Sequence, residues 1–346
     1  MKFGFNISRK MLDFQSRDPY APLYDFLQEM EELGYDIAYV GHHRFADKTA
    51  MGGEVASEPS SPLVMLAALF ARTQRIKLCT NVMLVPALHP LELAEQINTL
   101  AEIAGNRFVL GAGIGYKPDE FENVGWNFKT RAKRFEECLE ILRMALAGHE
   151  ISWQGKHFNI DSCKVVPTPL QGQDPVPIWI GAVSEPAMLR AGRMADGWLI
   201  SFAEHLEELV GKIERYKQVA SEHDRPSTVC LMRDLHIAPT KEQIDPNWLP
   251  NVAKVWQDYA SLGAVADRDE TASEALFGGK AMTLEEFAPN RAIVGTPDDC
   301  ARELERIREL VNPEYLLFTP TGVPDAQQQM KELRLFAKEV LPHFRT

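Results

Sequence analysis

Cysteine, cationic clusters and long apolar segments are all scarce in this sequence of 346 residues. Its five cysteines are scattered and contain no CxxC pair, which fits reduced thiols in the cytoplasm better than a disulfide framework or a zinc site. Lys and Arg total 37 against 49 Asp and Glu, so the net charge of −12 argues against nucleic acid as a partner. The best apolar run, residues 63–70, is far shorter than the roughly 20 residues of a membrane span, and no secretory signal opens the chain. These shortages predict a globular cytoplasmic protein with no membrane or nucleic-acid role.

What the sequence does have is a regular alternation of short β-type runs with helical runs. Pro62 and Pro90 stand where helices are expected to begin, and Gly34 and Gly105 stand where helices are expected to end. Eight strands are expected, at residues 3–7, 37–40, 76–80, 108–111, 176–181, 198–201, 228–238 and 315–318. Eight strands with helices between them predict a (β/α)8 TIM barrel, although a doubly wound open sheet has the same local pattern.

Two segments interrupt the alternation inside this single expected domain of residues 1–346. Residues 151–176 are rich in Gly, Pro and Gln and are expected as a hairpin insertion after strand 4. Residues 240–290 show only short helical patterns and are expected as an insertion after strand 7 that forms part of a lid. Because barrel enzymes carry their chemistry at the carboxyl ends of the strands, the residues directly after each strand are the candidates for function.

Two adjacent histidines and an arginine follow the second expected strand, in the run Gly41-His42-His43-Arg44-Phe45. Histidine can donate a hydrogen bond to developing negative charge and can move protons near neutral pH. No HxH pair occurs and the nearest acids lack ligand spacing, so no metal site is predicted. The run is therefore a candidate catalytic site, with a pair of surface histidines on a loop as the alternative.

The fourth and fifth expected strands end in turns that contain glycine. Residues 111–117, Gly-Ala-Gly-Ile-Gly-Tyr-Lys, have GxGxG spacing and fail the GxGxxG dinucleotide fingerprint. Small residues here let a flat ring lie against the backbone, with a flexible loop as the alternative. Residues 181–184, Gly-Ala-Val-Ser, lead into a helix, where free backbone N–H groups and a serine hydroxyl form an anion cradle. A plain helix cap is the alternative for this second turn.

Several stretches, taken together and in this order, resemble the bacterial luciferase-like family of flavin-dependent oxidoreductases. They are residues 41–45, 60–69, 85–86 with 89–90, 107–115, 177–181 and 195–198. The resemblance covers most of the chain and implies a TIM barrel with a reduced flavin, FMN, lying across the carboxyl ends of the strands. It indicates the family strongly and the substrate only weakly.

The resemblance also implies roles for individual residues. His42 would lie at the reactive face of the flavin, with His43 and Arg44 beside it as further catalytic residues. A non-prolyl cis peptide would fall at about Asn81–Val82, under the ring. The other expected cofactor contacts are Phe5, Gly111, Gly113, Tyr116, Gly181, Ala182, Val183 and Ser184, and the expected substrate contacts are the apolar residues Phe45 and Trp198.

Three positions depart from luciferase proper. Gly41 stands where luciferase has an acid, and Gly113 and Ile114 stand where it has a cysteine and an arginine. Phosphate binding would therefore depend more on backbone N–H groups and Ser184, with Lys117 or Tyr116 as a further contributor. Light emission is not expected.

The function implied by the resemblance is that of a two-component flavin monooxygenase. Reduced FMN would come from a separate NAD(P)H:flavin reductase, since no nicotinamide site is visible, and O2 would oxygenate a small, partly hydrophobic organic substrate. His42 would stabilise or protonate the reacting oxygen. Related enzymes use a deazaflavin coenzyme for hydride transfer, and this alternative stays open, as do a non-catalytic protein that binds flavin or another ligand and a metal hydrolase. The resemblance further implies a homodimer, with the second and third helices as the candidate interface.

Overall fold

A computed structural model describes residues 1–45, 61–170, 172–261 and 283–345. Its sheet closes into a barrel of eight parallel strands, because the strand at 228–237 pairs with the barrel strands on both sides of it. The barrel strands are β1 (Lys2–Asn6), β2 (Ile37–Val40), β3 (Lys77–Thr80), β5 (Phe108–Gly113), β8 (Ile178–Ala182), β9 (Gly197–Ile200), β10 (Thr228–Ile237) and β12 (Tyr315–Thr319). The predicted (β/α)8 barrel is confirmed, and the open sheet is excluded.

Four further strands lie outside the barrel wall. β4 (Met83–Leu84) pairs with the end of β5, and β11 (Ala292–Gly295) pairs with the end of β10. β6 (Ile151–Gln154) and β7 (Asn159–Cys163) form an antiparallel hairpin, which is the insertion expected after strand 4. Of the insertion expected at 240–290, residues 262–282 lie outside the described residues.

Helices surround the barrel. They are α1 (Ala21–Leu33), α2 (Pro62–Phe70), α3 (Pro90–Ala104), α4 (Asp119–Glu122), α5 (Arg131–Leu146), α6 (Glu185–Met194), α7 (Leu206–Glu222), α8 (Trp248–Ser261), α9 (Leu284–Phe287), α10 (Pro297–Leu310) and α11 (Ala326–Glu339). The ends follow the sequence signals: Gly34 adopts a φ of 99° after α1, and Thr296 and Asp299 form a reciprocal capping box on α10. None of the helices in these described ranges is both long and apolar enough to cross a membrane.

Side chains alternate between the two faces of each barrel strand and so build two separate cores. The outer core lies between the strands and the helices. The inner core fills the barrel with Ile37, Tyr39, Cys79, Val109, Trp179, Leu199, Cys230, Tyr315 and Leu317. A side chain near the end of a strand therefore reaches the mouth of the barrel only when it belongs to the inward-facing set.

Phe5 and Trp198 belong to the outward-facing set, which corrects the expectation that they line the functional site. Phe5 is fully buried, and its ring lies 5.7 Å from the ring of Phe26 and 5.0 Å from that of Tyr35. Trp198 is also buried in the outer core, and its indole N–H donates to the carbonyl oxygen of Ala182 at 2.9 Å. Both side chains pack the barrel against its helices and do not reach the mouth.

Candidate active site

The carboxyl ends of the barrel strands form one rim, because all eight strands are parallel. The loop after β2 carries His42 and His43, the segment after β3 carries Asn81–Val82, the loop after β5 carries Tyr116, and the turn after β8 carries Ser184. The structure therefore brings the predicted histidines and the predicted anion cradle to the same end of the barrel.

His42 is held as a neutral hydrogen-bond donor. Its Nδ1 atom accepts a hydrogen bond from the backbone N–H of Leu84 at 3.2 Å, so the proton of the neutral ring is on Nε2. Burial, with a smaller contribution from the charge of Arg44, lowers the pKa of His42 to about 4. The ring is therefore neutral at physiological pH and presents its Nε2–H as a donor.

His43 lies between a buried carboxylate and a phenol. Its Nδ1 atom is 3.0 Å from Oε1 of Glu120, and its Nε2 atom is 3.3 Å from the hydroxyl oxygen of Tyr116. The same Glu120 oxygen accepts the backbone N–H of Arg44 at 2.9 Å. Burial acts to raise the pKa of Glu120, but the hydrogen bonds from His43 and Arg44 outweigh it, and the pKa falls below its usual value. Glu120 is therefore an ionised carboxylate at neutral pH.

Sequence reasoning missed Glu120, although it follows the GxGxG strand by only a few residues. It belongs to the one-turn helix α4, and acids on short helices are ordinarily solvated. Arg44, predicted as catalytic, instead directs its guanidinium to the carbonyl oxygen of Ala87 at 3.0 Å, where it anchors the histidine loop. Phe45 is half-buried and is the last described residue of that loop.

The peptide bond between Asn81 and Val82 is cis, which confirms the expectation from the resemblance. The side chain of Val82 lies between two glycines: a Cβ atom at Gly113 would be 2.3 Å from its Cγ2, and one at Gly181 would be 2.9 Å from its Cγ1. Only glycine fits at these two strand ends without moving Val82. The wall around Val82 therefore consists of glycine backbone and the Val82 side chain, a surface against which a flat ring can lie.

Gly111 lies deeper in the barrel, where the neighbouring strand leaves no room for a side chain. A Cβ atom there would be 1.8 Å from the carbonyl oxygen of Thr80, and the Thr80 hydroxyl donates to the carbonyl oxygen of Gly111 at 2.8 Å. This glycine is required for the close contact between β3 and β5.

Ser184 is the N-cap of α6, yet its side chain makes no capping hydrogen bond and is exposed. The second residue of α6 is a proline without an N–H group, and the N–H of the third residue donates to the Ser184 carbonyl oxygen at 3.0 Å. This turn therefore offers an anion the N–H group of the first helical residue, which has no intrahelical partner, and the Ser184 hydroxyl. Val183 is half-buried in the turn, whereas the Ala182 side chain is in the outer core. Glu185 occupies the first turn of the helix and opposes anion binding through its charge.

A second buried acid, also missed by sequence reasoning, lies near the end of β10. Asp234 is fully buried and accepts hydrogen bonds from the Thr319 hydroxyl and, at 3.4 Å, from the indole N–H of Trp256. Burial is the largest influence and raises the pKa of Asp234 to about 6. The contact with Trp256 joins α8 to the barrel.

Helix α8 also contributes an aromatic surface next to Tyr116. Tyr259 is hydrogen-bonded to Tyr116, and the two ring centroids are 6.1 Å apart. Phe202, from the segment after β9, lies 5.8 Å from the Tyr259 ring and 5.6 Å from the Trp256 ring. Because Tyr259 and Phe202 are only partly buried, this surface can contact a ligand.

The side chains fit an organic cofactor with a flat ring and an anionic tail. The backbone wall around Val82 would contact the ring, and the uncommitted hydroxyl of Ser184 at a helix N-terminus would contact the tail. Within the described ranges, no group of three or more His, Cys, Asp and Glu side chains is arranged to hold a metal ion.

Two of the matching curated relatives align with about half of the chain. An uncharacterized protein of Mycobacterium tuberculosis is 35% identical over 159 residues, which is 45% of this chain and 54% of that protein. An F420-dependent glucose-6-phosphate dehydrogenase of Nakamurella multipartita is 32% identical over 190 residues, 53% of each chain. The chain thus spans about half the length of these relatives.

Solved structures match over the whole barrel. The monooxygenase RslO1 from Streptomyces bottropensis has a TM-score of 0.77 at 23% identity, covering 100% of both chains. The oxygenating constituent of 3,6-diketocamphane monooxygenase from Pseudomonas putida, a type II Baeyer–Villiger monooxygenase in complex with FMN, has a TM-score of 0.74 at 19% identity, covering 99% of this chain and 98% of that one. At these identities the likeness establishes the fold. Residues 1–312 match the family model described as luciferase-like monooxygenase, and the chain therefore belongs to the luciferase-like monooxygenase family of enzymes.

Proposed function

We propose that the protein is a flavin-dependent monooxygenase that uses reduced FMN and O2 to oxygenate a small, partly hydrophobic organic substrate. The observation that carries the proposal is the state of His42, a neutral imidazole that accepts at Nδ1 and presents Nε2–H at the rim of the barrel. A donor of this kind can stabilise negative charge that develops on a reacting oxygen. Its lowered pKa keeps the donor neutral across the working range of pH.

The residues of the rim have separate tasks in this proposal. The backbone wall of Val82, Gly113 and Gly181 would hold the flavin ring, and the turn at Ser184 would hold its phosphate. When bound, reduced FMN would supply the electrons that activate O2. The His42 Nε2–H would donate to the reacting oxygen, and the partly buried aromatic rings next to Tyr116 would help to exclude water.

A second candidate is a hydride-transfer oxidoreductase that uses a deazaflavin coenzyme. The relative named as an F420-dependent glucose-6-phosphate dehydrogenase supports this candidate. Both cofactors have a tricyclic ring and a ribityl phosphate, so the same wall and the same turn would hold either one. The name of the FMN-bound structural neighbour supports the first candidate in the same way.

Anaerobic titration of the purified protein with reduced FMN and, separately, with the reduced deazaflavin coenzyme tests the proposal. We expect tighter binding of FMN, followed on aeration by O2 uptake that matches product formation across a panel of organic substrates. Exclusive binding of the deazaflavin coenzyme would replace the first candidate by the second. Flavin binding that yields only hydrogen peroxide with every substrate would indicate a protein that binds flavin without productive turnover.

We also propose partners: a cytoplasmic NAD(P)H:flavin reductase and a second copy of the chain. Val64 on α2 and Ile103 on α3 are 71% and 47% exposed, and these adjacent helices would form the interface of the homodimer. Light scattering after gel filtration should give the mass of a dimer, and Val64→Glu should convert it to a monomer. Leu310→Glu, at another exposed apolar residue, is the matched control and should leave the mass unchanged.

A further inference from the structure

We propose that Tyr116 exchanges a proton with the substrate and that His43 and Glu120 form the relay behind it. The inference implies that the substrate is a phenol, a molecule whose ring is activated for oxidation when its hydroxyl proton is lost. It rests on the proposed function in one respect, namely that the substrate binds at this end of the barrel.

Glu120 sets the direction of the relay. Its ionised carboxylate can only accept hydrogen bonds, so Nδ1 of His43, 3.0 Å away, must carry a proton. When the His43 ring carries no second proton, its lone pair is on Nε2, 3.3 Å from the Tyr116 hydroxyl oxygen, and accepts from that hydroxyl. The Tyr116 oxygen has two lone pairs, so while its proton points to His43 it can accept a hydrogen bond from a substrate hydroxyl.

The two histidines therefore have opposite tautomers. His42 has its proton on Nε2, because the backbone N–H of Leu84 donates to its Nδ1. His43 has its proton on Nδ1, because Glu120 accepts there. One end of the barrel thus presents a donor nitrogen on His42 and an acceptor nitrogen on His43 side by side, as a reaction that moves protons in both directions requires.

The burial of Glu120 supports a role beyond holding the loop. The residue is 1% exposed, and within the described part of the chain its Oε2 atom has no hydrogen-bond partner. A buried carboxylate is costly unless it stabilises a nearby positive charge. Lys117 contributes a weaker attraction, and an imidazolium on His43 would supply a directly bonded partner.

The proton transfer balances without any other reactant. The substrate hydroxyl proton moves to the Tyr116 oxygen while the Tyr116 proton moves to Nε2 of His43. The products are a substrate phenolate and a His43 imidazolium that remains hydrogen-bonded to Glu120 through Nδ1. Glu120 acts only through His43 and is a positioning residue. The partly buried rings of Tyr259 and Phe202 beside Tyr116 suit the aromatic ring that carries the hydroxyl.

The histidine tautomers of the cofactor-free protein test the relay without any turnover. Nitrogen-15 NMR of the imidazole rings should show the proton of His43 on Nδ1 and that of His42 on Nε2. Glu120→Leu should remove the Nδ1 preference of His43, whereas Glu122→Leu, at an exposed acid of the same helix, should not. A wild-type His43 with its proton on Nε2 overturns the proposal. Because this spectrum is recorded on the wild-type protein, it tests the relay even if Glu120→Leu does not fold.

Turnover of two substrate classes tests the proton transfer itself. Tyr116→Phe should lower kcat for a phenol by about 100-fold, the usual size of a general acid–base contribution, and should lower kcat by a clearly smaller factor for a thioether, which has no proton to lose. Tyr20→Phe is the control. Equal losses for both substrates would overturn the proposal. Absence of turnover with both substrates would count against the proposed function instead, and the tautomers would still decide the relay.

Discussion

The backbone N–H of Leu84 donates a hydrogen bond to Nδ1 of His42, with 3.2 Å between the two nitrogen atoms. Leu84 belongs to β4, which pairs with the end of the barrel strand β5. The tautomer of His42 is therefore set by a backbone group anchored to the barrel and not by a titratable partner. A substitution at position 42 that keeps an acceptor at the Nδ1 position therefore tests the role of the Nε2 donor alone.

Asn and Gln at position 42 separate the two ring nitrogens of His42. Asn offers an acceptor near the Nδ1 position without a donor at the Nε2 position, whereas Gln offers an amide N–H near the Nε2 position. We expect His42→Asn to lower kcat with saturating reduced FMN by about 100-fold, as for loss of one preorganised donor. His42→Gln should retain more activity. Both variants should melt near the wild-type temperature, and full activity in His42→Asn would remove His42 from the mechanism.

The lowered pKa of His42 also predicts how stability depends on pH. In the unfolded chain the imidazole titrates near its ordinary 6.5, and in the folded protein burial lowers its pKa to about 4. Between these values the unfolded state binds the extra proton, so stability is lost as pH falls from 6.5 towards 4, by about 3 kcal/mol in all. Urea unfolding of wild type and His42→Asn at pH 7 and pH 4.5 checks this.

The loss of unfolding free energy between pH 7 and pH 4.5 has to be compared between wild type and His42→Asn. Asp234, with a pKa raised to about 6, favours the folded state as pH falls and has the opposite sign, but it is common to both proteins. We expect wild type to lose more stability than His42→Asn on acidification. Parallel losses would show that His42 is not buried as described.

The close approach of Gly113 to Val82 predicts a compensating pair of substitutions. Gly113→Ala would place a Cβ atom 2.3 Å from the Val82 Cγ2 atom, so Val82 must move towards the flavin side of the wall. We expect FMN affinity to fall by about tenfold or more, the size of ordinary overpacking. Val82→Ala in the same chain should restore most of the affinity, and a double-mutant cycle of Kd values measures the coupling. Simple additivity would contradict the proposed wall.

The barrel could be predicted because its signals are local. Prolines at helix starts, Gly34 at a helix end and the Thr296–Asp299 capping box act within a few residues of each other. Helix α7 lacks such end signals, because it begins after His205 without a side-chain capping hydrogen bond and ends at His223 in place of a glycine. Closure of the sheet depends on pairing between β9 and β10 and could be inferred only from the number of strands.

The site could be predicted only where a signal stands directly after a strand, as His42 and Ser184 do. Glu120 and Asp234 acquire their roles from partners 77 and 85 residues away along the chain, which no local pattern reveals. The direction of Phe5 and Trp198 depends on strand register, and a shift of one residue exchanges the inward and outward faces. The sequence therefore predicts which strand ends carry candidate residues, but it does not predict which side chains point into the mouth of the barrel.

The outward direction of Phe5 and Trp198 predicts effects on stability without effects on ligand binding. Phe5→Ala should lower the free energy of unfolding by about 3–5 kcal/mol, as expected for a large cavity in a core. Trp198→Phe loses the hydrogen bond to the Ala182 carbonyl oxygen and should cost about 1–3 kcal/mol. The Kd for FMN, measured on the folded fraction, should match wild type for both. A higher Kd for FMN in fully folded Trp198→Phe would show that Trp198 contributes to the binding site.

The turn at the start of α6 predicts a difference between FMN and riboflavin, which lacks the phosphate. The Ser184 hydroxyl is not used to cap its own helix and would donate to the phosphate, whereas the charge of Glu185 would repel it. We expect Ser184→Ala to weaken FMN binding by about tenfold, the size of a hydrogen bond to a charged group, and Glu185→Gln to strengthen it. Fluorescence titration should show riboflavin affinity unchanged in both variants. Equal changes for the two ligands would mean that this turn does not contact the phosphate, because a lost phosphate contact can weaken only the ligand that carries one.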